Sequence, residues 1–343
     1  MRPREVMWIG SELAKRDDWI VELSNADVAE LERAAATHVE AGLPAPPTIE
    51  TFALPTLAPR LASLRSELLH GRGFFLVRGL PVRRYSRAEA AAIFLGFGAH
   101  LGNPRSQNAK GHVLGHVFDL GLPGADPAVR IYQTHERQTF HTDSSDVVGL
   151  LCLNEAKDGG DSMLVSALAI HDVMQREHPK LLSRLLEPMP YDRRGEVPAG
   201  MNGWFDIPVF SRFGGLLTVF YQRQYFDSAQ RFADARRLTE EDVAALDRFD
   251  AIANDERLVL NMRLAPGDMQ FVHNHDLLHD RTAFDDWPEP ERKRHLLRLW
   301  LAVPGARSLP PAFAARYGSL EIGNRGGIVT PATTALRVAL DPE

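Results

Sequence analysis

The chain has 343 residues, 44% hydrophobic and 24% charged, with a formal net charge of -6. This is enough apolar material for a sizeable core, and the acidic balance excludes the basic footprint of a nucleic-acid binder. The single cysteine, Cys152, excludes an intramolecular disulfide and any multi-cysteine zinc or iron–sulfur site.

The opening segment, Met1-Arg2-Pro3-Arg4-Glu5, has no long apolar stretch before a small-residue cleavage site. No part of the chain approaches the roughly 18 uninterrupted apolar residues of a membrane span. The expected location is a reducing cytoplasm. The expected partner is a small-molecule substrate, with neither nucleic acid nor membrane, and homo-oligomerisation is not readable. Ser24 with Asp27 opens a helix over Val28 to Glu40, and Leu57 to His70 repeats the helical period up to Gly71-Arg72-Gly73. The period then changes. Phe74-Phe75-Leu76-Val77-Arg78-Gly79 reads as a buried strand, and Ser86 with Glu89 caps a helix running to about His100.

From about Val113 onward, short apolar runs alternate with turn residues. The predicted strands are Val147 to Leu153, Asp161 to Val165, Leu216 to Tyr221, Met269 to Val272 and His295 to Val303. Helices are expected over Ile170 to Leu186 and Thr239 to Ile252. Cys152, inside the first of these strands, is expected to be a buried, inert thiol. The pattern predicts a mainly β protein with helical decoration, a sandwich or jelly roll. The expected organisation is a single domain, 1–343. In it a mainly helical part, 1–70, packs on a β core, 71–303, followed by a C-terminal extension, 304–343.

His141-Thr142-Asp143 places an imidazole and a carboxylate two residues apart, which on a strand directs both to one face. Two histidines and one carboxylate on one face of an octahedron leave three positions free, the arrangement of non-haem iron(II) oxygenases. A second histidine is offered three times between Gly267 and Arg281, as His273, His275 and His279, and spacing alone leaves all three open. Beyond them, Arg294, Leu296 and Arg298 share one face of a predicted strand. Arginines turned into a protein interior require anions, and a bidentate carboxylate is the natural one. A solvated basic turn is the other reading of Arg292 to Arg294.

These pieces together resemble the taurine dioxygenase/TfdA family, the clavaminate-synthase-like branch of the 2-oxoglutarate oxygenases. The resemblance rests on Gly73 to Gly79, His141-Thr142-Asp143, Gly159-Gly160-Asp161-Ser162, Asn274 to Arg281 and Arg294-x3-Arg298. It implies a double-stranded β-helix (jelly-roll, cupin-like) core and iron(II) held by His141, Asp143 and His279. It selects His279 because Arg281 follows two positions later, as the family pattern has it. It also implies 2-oxoglutarate as cosubstrate, paired by Arg294 and assisted by the Ser162 hydroxyl where the family usually has threonine. O2 is consumed, and succinate and CO2 are released as a C–H bond is hydroxylated. Halogenating relatives lack the carboxylate, so Asp143 favours hydroxylation, while substrate placement leaves desaturation or ring formation open. Arg298, and Arg137 four residues before His141, suggest an anionic substrate such as an amino acid, sulfonate or phosphonate. Tyr132, Trp204, Phe205 and Tyr221 are expected either along an apolar wall of the site or in the core. The residues Asp285 to Pro290 read as a loop insertion.

Two other readings stand beside this one. A metal-binding jelly-roll protein without catalysis would need the triad but not Arg294. A zinc hydrolase could use two histidines and an aspartate, although the helix-borne His-Glu-x-x-His signature is missing.

Overall fold

The computed structural model describes residues 6–42, 45–124 and 129–342; the opening Met1–Glu5 lies outside it. Two sheets organise the chain. The larger has seven strands, in the order Ile20–Glu22, Phe74–Arg78, Met269–His273, Val147–Asn154, His295–Ala302 and Asn103–Pro104. Its seventh strand, Leu114–Phe118, also pairs with His295–Ala302. The smaller sheet has four antiparallel strands, in the order Leu260–Met262, Ser162–Ser166, Leu277–Arg281 and Gln138–His141.

Period-two alternation assigns the faces of the larger sheet. Phe75, Val77, Phe271, Leu297, Leu299 and Leu301 point outward and pack under the helices Ala58–His70 and Arg87–Ala99. Phe74, Leu76, Cys152, Val272 and Leu296 point inward, meeting Leu164, Leu260 and Leu277 of the smaller sheet. Gly149 lies where Phe271 crosses its strand; a Cβ there would stand 2.7 Å from the Phe271 ring. A third apolar cluster joins two hairpins to the helices Ala167–Glu177, Pro179–Leu185 and Glu240–Ala253. The hairpins are Met189–Asp192 with Trp204–Ile207, and Phe210–Phe213 with Leu216–Val219.

Local chemistry explains most element boundaries. The capping boxes at Ser24/Asp27 and Ser86/Glu89 are both formed, and Thr239/Asp242 makes a third. The helix expected over Ile170 to Leu186 is two helices. Pro179 disfavours a helical residue before it, and His178 leaves the helix at φ -136 and ψ 49. The N-terminal third is not purely helical either, because Ile20–Glu22 adds in parallel to the edge strand Phe74–Arg78. Leu277–Arg281, absent from the expected strands, is a buried strand of the smaller sheet. Cys152 is buried, and burial pushes its thiol up to about 12, which makes it the inert sulfur expected. Among the described residues, no helix is long and apolar enough to cross a membrane.

Candidate metal centre

The segment Met269–Arg281 crosses from one sheet to the other. Met269–His273 lies in the larger sheet and Leu277–Arg281 in the smaller, where His279 pairs directly across from His141. This register brings the two imidazoles together, tilted at 52° with ring centroids 4.1 Å apart. Asp143 completes the group, and the ligand atoms of His141, Asp143 and His279 all lie within 4.8 Å of one another. The two residues of His141-Thr142-Asp143 do not share a strand, as the spacing argument assumed. His141 is the last residue of its strand, and Asp143 lies beyond it in the following turn. Asn274 holds that turn instead. Its Oδ1 accepts from the Asp143 backbone N–H at 3.0 Å, and its amide donates back to the Asp143 carbonyl.

The donor set suits a divalent metal. His141 Nδ1 donates to the Thr139 carbonyl at 2.9 Å, which fixes the tautomer and leaves a lone pair on Nε2. That lone pair faces the Gln138 amide at 2.9 Å, so a metal at this nitrogen requires Gln138 to turn away. His279 Nε2 stands 3.7 Å from Asp143 Oδ2. Burial, with the neighbouring His279, lowers His141 to about 3, so the imidazole is neutral as ligation requires. Burial opposes the charge on Asp143, but Arg298 and the two histidines hold its carboxyl well below the usual carboxylate range. Trp300 Nε1–H donates to Asp143 Oδ2 at 2.9 Å, and Arg298 Nη1 lies 3.5 Å from the same oxygen. Oδ1 is thereby the oxygen left for a metal.

The other two histidines of the run are committed elsewhere. His273 Nδ1 lies 2.7 Å from Asp276, which also pairs with Arg307. His275 Nε2 lies 2.9 Å from Asp146 Oδ1, to which Arg325 Nε donates at 2.8 Å, all three side chains being buried.

Two cavities meet at this centre. One is lined by His141, Ser162, His279, Arg294 and Arg298 together with the apolar Leu150, Leu264 and Leu296. Arg294 is 4% exposed, yet its Nη1 has no hydrogen-bond partner among the described residues. Its Nη2 donates to the Gly160 carbonyl at 3.1 Å, and its backbone N–H donates to Asp286 Oδ1 at 2.7 Å, so the inserted loop braces it. Burial brings the guanidinium down to about 10, which marks a cation short of counter-charge. Gly160, at φ 75, makes room for it: a Cβ there would stand 2.7 Å from Arg294 Nε. Ser162 Oγ accepts from Gln270 Nε2 at 3.1 Å on the wall of the same cavity. An orphaned guanidinium and a hydroxyl in one pocket fit a dicarboxylate cosubstrate.

The second cavity adjoins His141 and Asp143 and is walled by Tyr132, Trp300 and a group of charged side chains. Arg298 stands at the seam, lining both cavities. It donates through Nε to Gln107 Oε1 at 2.7 Å and lies over the Tyr132 and Trp300 rings. Arg137 does not join the site. Its guanidinium pairs with Asp280 at 2.7 Å and lines neither cavity. Of the aromatic candidates, only Tyr132 lines a cavity; Trp204 donates to Asp234, Phe205 packs on Tyr191, and Tyr221 packs on Phe249 and donates to Asp250. Sequence reasoning missed Gln107, Asn274 and Trp300. The alternation applied to Arg298 extends to Trp300 two residues on, whereas Asn274, which opens the segment Asn274 to Arg281, carries no local sign that its side chain reaches Asp143.

Trp300→Phe is expected to lower iron(II) affinity about 10–100-fold, the usual cost of an outer-shell ligand partner, with the melting temperature nearly kept. Anaerobic metal titration of folded protein checks this, and an unchanged affinity would show that the indole does not orient Asp143.

The sequence profile described as "Taurine catabolism dioxygenase TauD, TfdA family" matches residues 37–300. The chain is 31% identical over 322 residues to FR-33289 synthase of Streptomyces rubellomurinus (strain ATCC 31215), covering 91% of this chain and 94% of that one. Among solved structures, it resembles asparagine oxygenase in complex with Fe(II), 2S,3S-3-hydroxyasparagine and succinate. That match has a TM-score of 0.63 at 19% identity, over 82% of this chain and 93% of the other. It also resembles the non-heme iron oxygenase OrfP in complex with Fe and alpha-ketoglutaric acid, with a TM-score of 0.57 at 15% identity, over 82% and 93%. These structural likenesses establish the fold.

Proposed function

This chain belongs to the TauD/TfdA family of iron- and 2-oxoglutarate-dependent dioxygenases, and from that premise we propose a role for each residue of its site. His141, Asp143 and His279 hold iron(II). Arg294, with Ser162, holds the far carboxylate of 2-oxoglutarate. The substrate is a small anionic molecule bound in the second cavity, in the range of amino acids, sulfonates and phosphonates. The two sheets are the halves of a double-stranded β-helix, a reading supported by the first cavity, which takes its walls from both. With its single buried cysteine, the protein is suited to the reducing cytoplasm.

The observation that carries this reading is the buried Arg294 guanidinium with an unpartnered Nη1, in the same cavity as His141 and His279. A metal-binding jelly roll without catalysis has no use for it. Bound iron(II) with 2-oxoglutarate supplies the oxidation itself, consuming O2, releasing succinate and CO2 and converting a substrate C–H to C–OH. The chain's own residues do the rest. Trp300 and Arg298 fix Asp143 through one oxygen, Thr139 fixes the His141 tautomer, and Leu150, Leu264 and Leu296 exclude water from the cosubstrate pocket. Tyr132 and Trp300 hold Arg298 at the seam, where its Nη1 lies 3.5 Å from Asp143 Oδ2. Arg137, spent on Asp280, has no part in binding.

Anaerobic titration of the apo-protein with iron(II) and 2-oxoglutarate tests the proposal. A weak visible charge-transfer band is expected only when both are present. Folded protein that binds iron but never develops the band would return the site to a metal-binding protein without this cosubstrate.

A further inference from the structure

The wall of the second cavity carries more positive charge than the proposed chemistry uses. Among the described residues, the cavity is lined by four arginines, Arg130, Arg194, Arg298 and Arg316, against two carboxylates, Asp143 and Glu196. Arg298 is offset by Asp143 beside the metal centre. Of the other three arginines, two pair with Glu196. Arg130 Nη2 lies 2.8 Å from Glu196 Oε1 and Arg316 Nη2 lies 3.3 Å from Oε2, so one carboxylate holds both. Arg130 Nη2 also donates to the Arg194 carbonyl at 2.8 Å, which draws the third arginine to the same wall. Iron(II) and a 2-oxoglutarate dianion cancel one another in charge, so loading the site leaves this excess of two in place.

Arg194 is itself unusual. It is the one non-glycine residue with positive φ among the described residues, at 53°. Its backbone N–H is held by Asp192 Oδ1 at 2.7 Å, its guanidinium lies 5.5 Å from the Tyr225 ring centroid, and its Nε is buried without a partner. A turn alone would be served better by glycine, which adopts this backbone conformation at no steric cost. A strained residue on a cavity wall with an unsatisfied donor points to a ligand.

We infer that Arg130, Arg194 and Arg316 form a subsite for a phosphoryl group, so that the substrate is a phosphate ester or phosphonate held at that end while its carbon portion reaches the metal centre. This rests on the placement of substrate in the second cavity proposed above. Two excess charges on adjacent guanidinium groups match one compact dianion, and arginine forks suit its tetrahedral oxygens. A carboxylate or sulfonate, with one charge, leaves a half-buried cation uncompensated, at a cost. An amino-acid head group would instead place its ammonium on Glu196, which the two arginines already occupy.

The test is calorimetric titration of metal-free protein with methylphosphonate, methanesulfonate, acetate and glycine, at mildly alkaline pH where methylphosphonate is a dianion. Methylphosphonate is expected to bind at least about tenfold more tightly than either monoanion, and Arg194→Gly to weaken it by about tenfold, as for a lost charge-assisted hydrogen bond. Glycine relieves the left-handed strain at 194, so this variant should melt as high as the parent, and position 194 lies outside the cosubstrate cavity. Equal affinity for methylphosphonate, methanesulfonate and acetate, or methylphosphonate binding indifferent to Arg194→Gly, would overturn the inference. So would preferential binding of glycine that is lost in Glu196→Gln. A missing charge-transfer band in the parent protein would instead refute the iron and cosubstrate reading, and the two failures are separable because this titration uses no metal.

Discussion

His279→Ala is expected to abolish stoichiometric iron(II) binding, while His275→Ala, four residues earlier, is expected to keep it. His279 is one of three ligand atoms within 4.8 Å of one another, and its loss leaves two on a buried wall. The effect should far exceed the roughly 10–100-fold cost of an outer-shell change. His275 faces the other way, onto Asp146, which also accepts from Arg325 and from the Val303 backbone N–H. Burial, only partly opposed by Asp146, lowers His275 to about 4, so it is a neutral structural imidazole. Its removal deletes one hydrogen bond and opens a small cavity, costing about 1–3 kcal/mol of stability, but Arg325 still compensates Asp146. Metal-to-protein stoichiometry after anaerobic loading, read beside thermal melts, separates the two variants. Iron retained by His279→Ala and lost by His275→Ala would move the ligand assignment.

The contrast between these histidines shows what the sequence could and could not reveal. Within His273-Asn274-His275, and again at His279, side-chain type is constant and only direction differs. Direction follows from where the chain leaves one sheet for the other, and that crossing depends on long-range pairing. Spacing therefore left three candidates, and only the arginine two residues beyond His279 separated them. Asp143 was found by a rule that does not operate here. The pair His141 and Asp143 converges because Asn274, from a distant segment, clamps the turn between them. Arg137 makes a related point: nearness in sequence to a ligand does not bring a side chain to the cavity, and this one pairs with Asp280 instead.

Features encoded in one element were legible. The capping boxes at Ser24 and Ser86 set helix starts through contacts three residues apart. The alternation through His295–Ala302 separated Leu297, Leu299 and Leu301, under the helices, from Leu296 and Arg298, towards the site. The strand Ile20–Glu22 was hidden because three residues are too few to show a period, and its pairing with Phe74–Arg78 spans more than fifty residues of chain. The charged wall of the second cavity was hidden most completely. Arg130, Arg316 and the neighbouring pair Arg194 and Glu196 come from three separated segments, and each residue alone reads as a surface charge.

Arg294 carries the other large expectation. Replacing it with methionine should weaken 2-oxoglutarate binding by about 2–3 kcal/mol, roughly 30–150-fold, since it removes a charge-assisted, bidentate pair. The same change should not destabilise the cosubstrate-free protein. The guanidinium there is 4% exposed, short of counter-charge and unpartnered at Nη1, so methionine relieves a buried cation while losing mainly the bond to the Gly160 carbonyl. Arg294→Lys should fall between, keeping the charge but not the fork that addresses both carboxylate oxygens. Titrating the charge-transfer band with 2-oxoglutarate at fixed iron gives the affinity, and denaturant unfolding without cosubstrate gives the stability. Weak cosubstrate binding together with undiminished stability would identify a residue kept for its ligand rather than for the fold. An unchanged 2-oxoglutarate affinity would remove Arg294 from the site and leave the buried guanidinium without a purpose. A large loss of stability would instead make it a structural cation, balanced in the folded protein through Gly160 and Asp286.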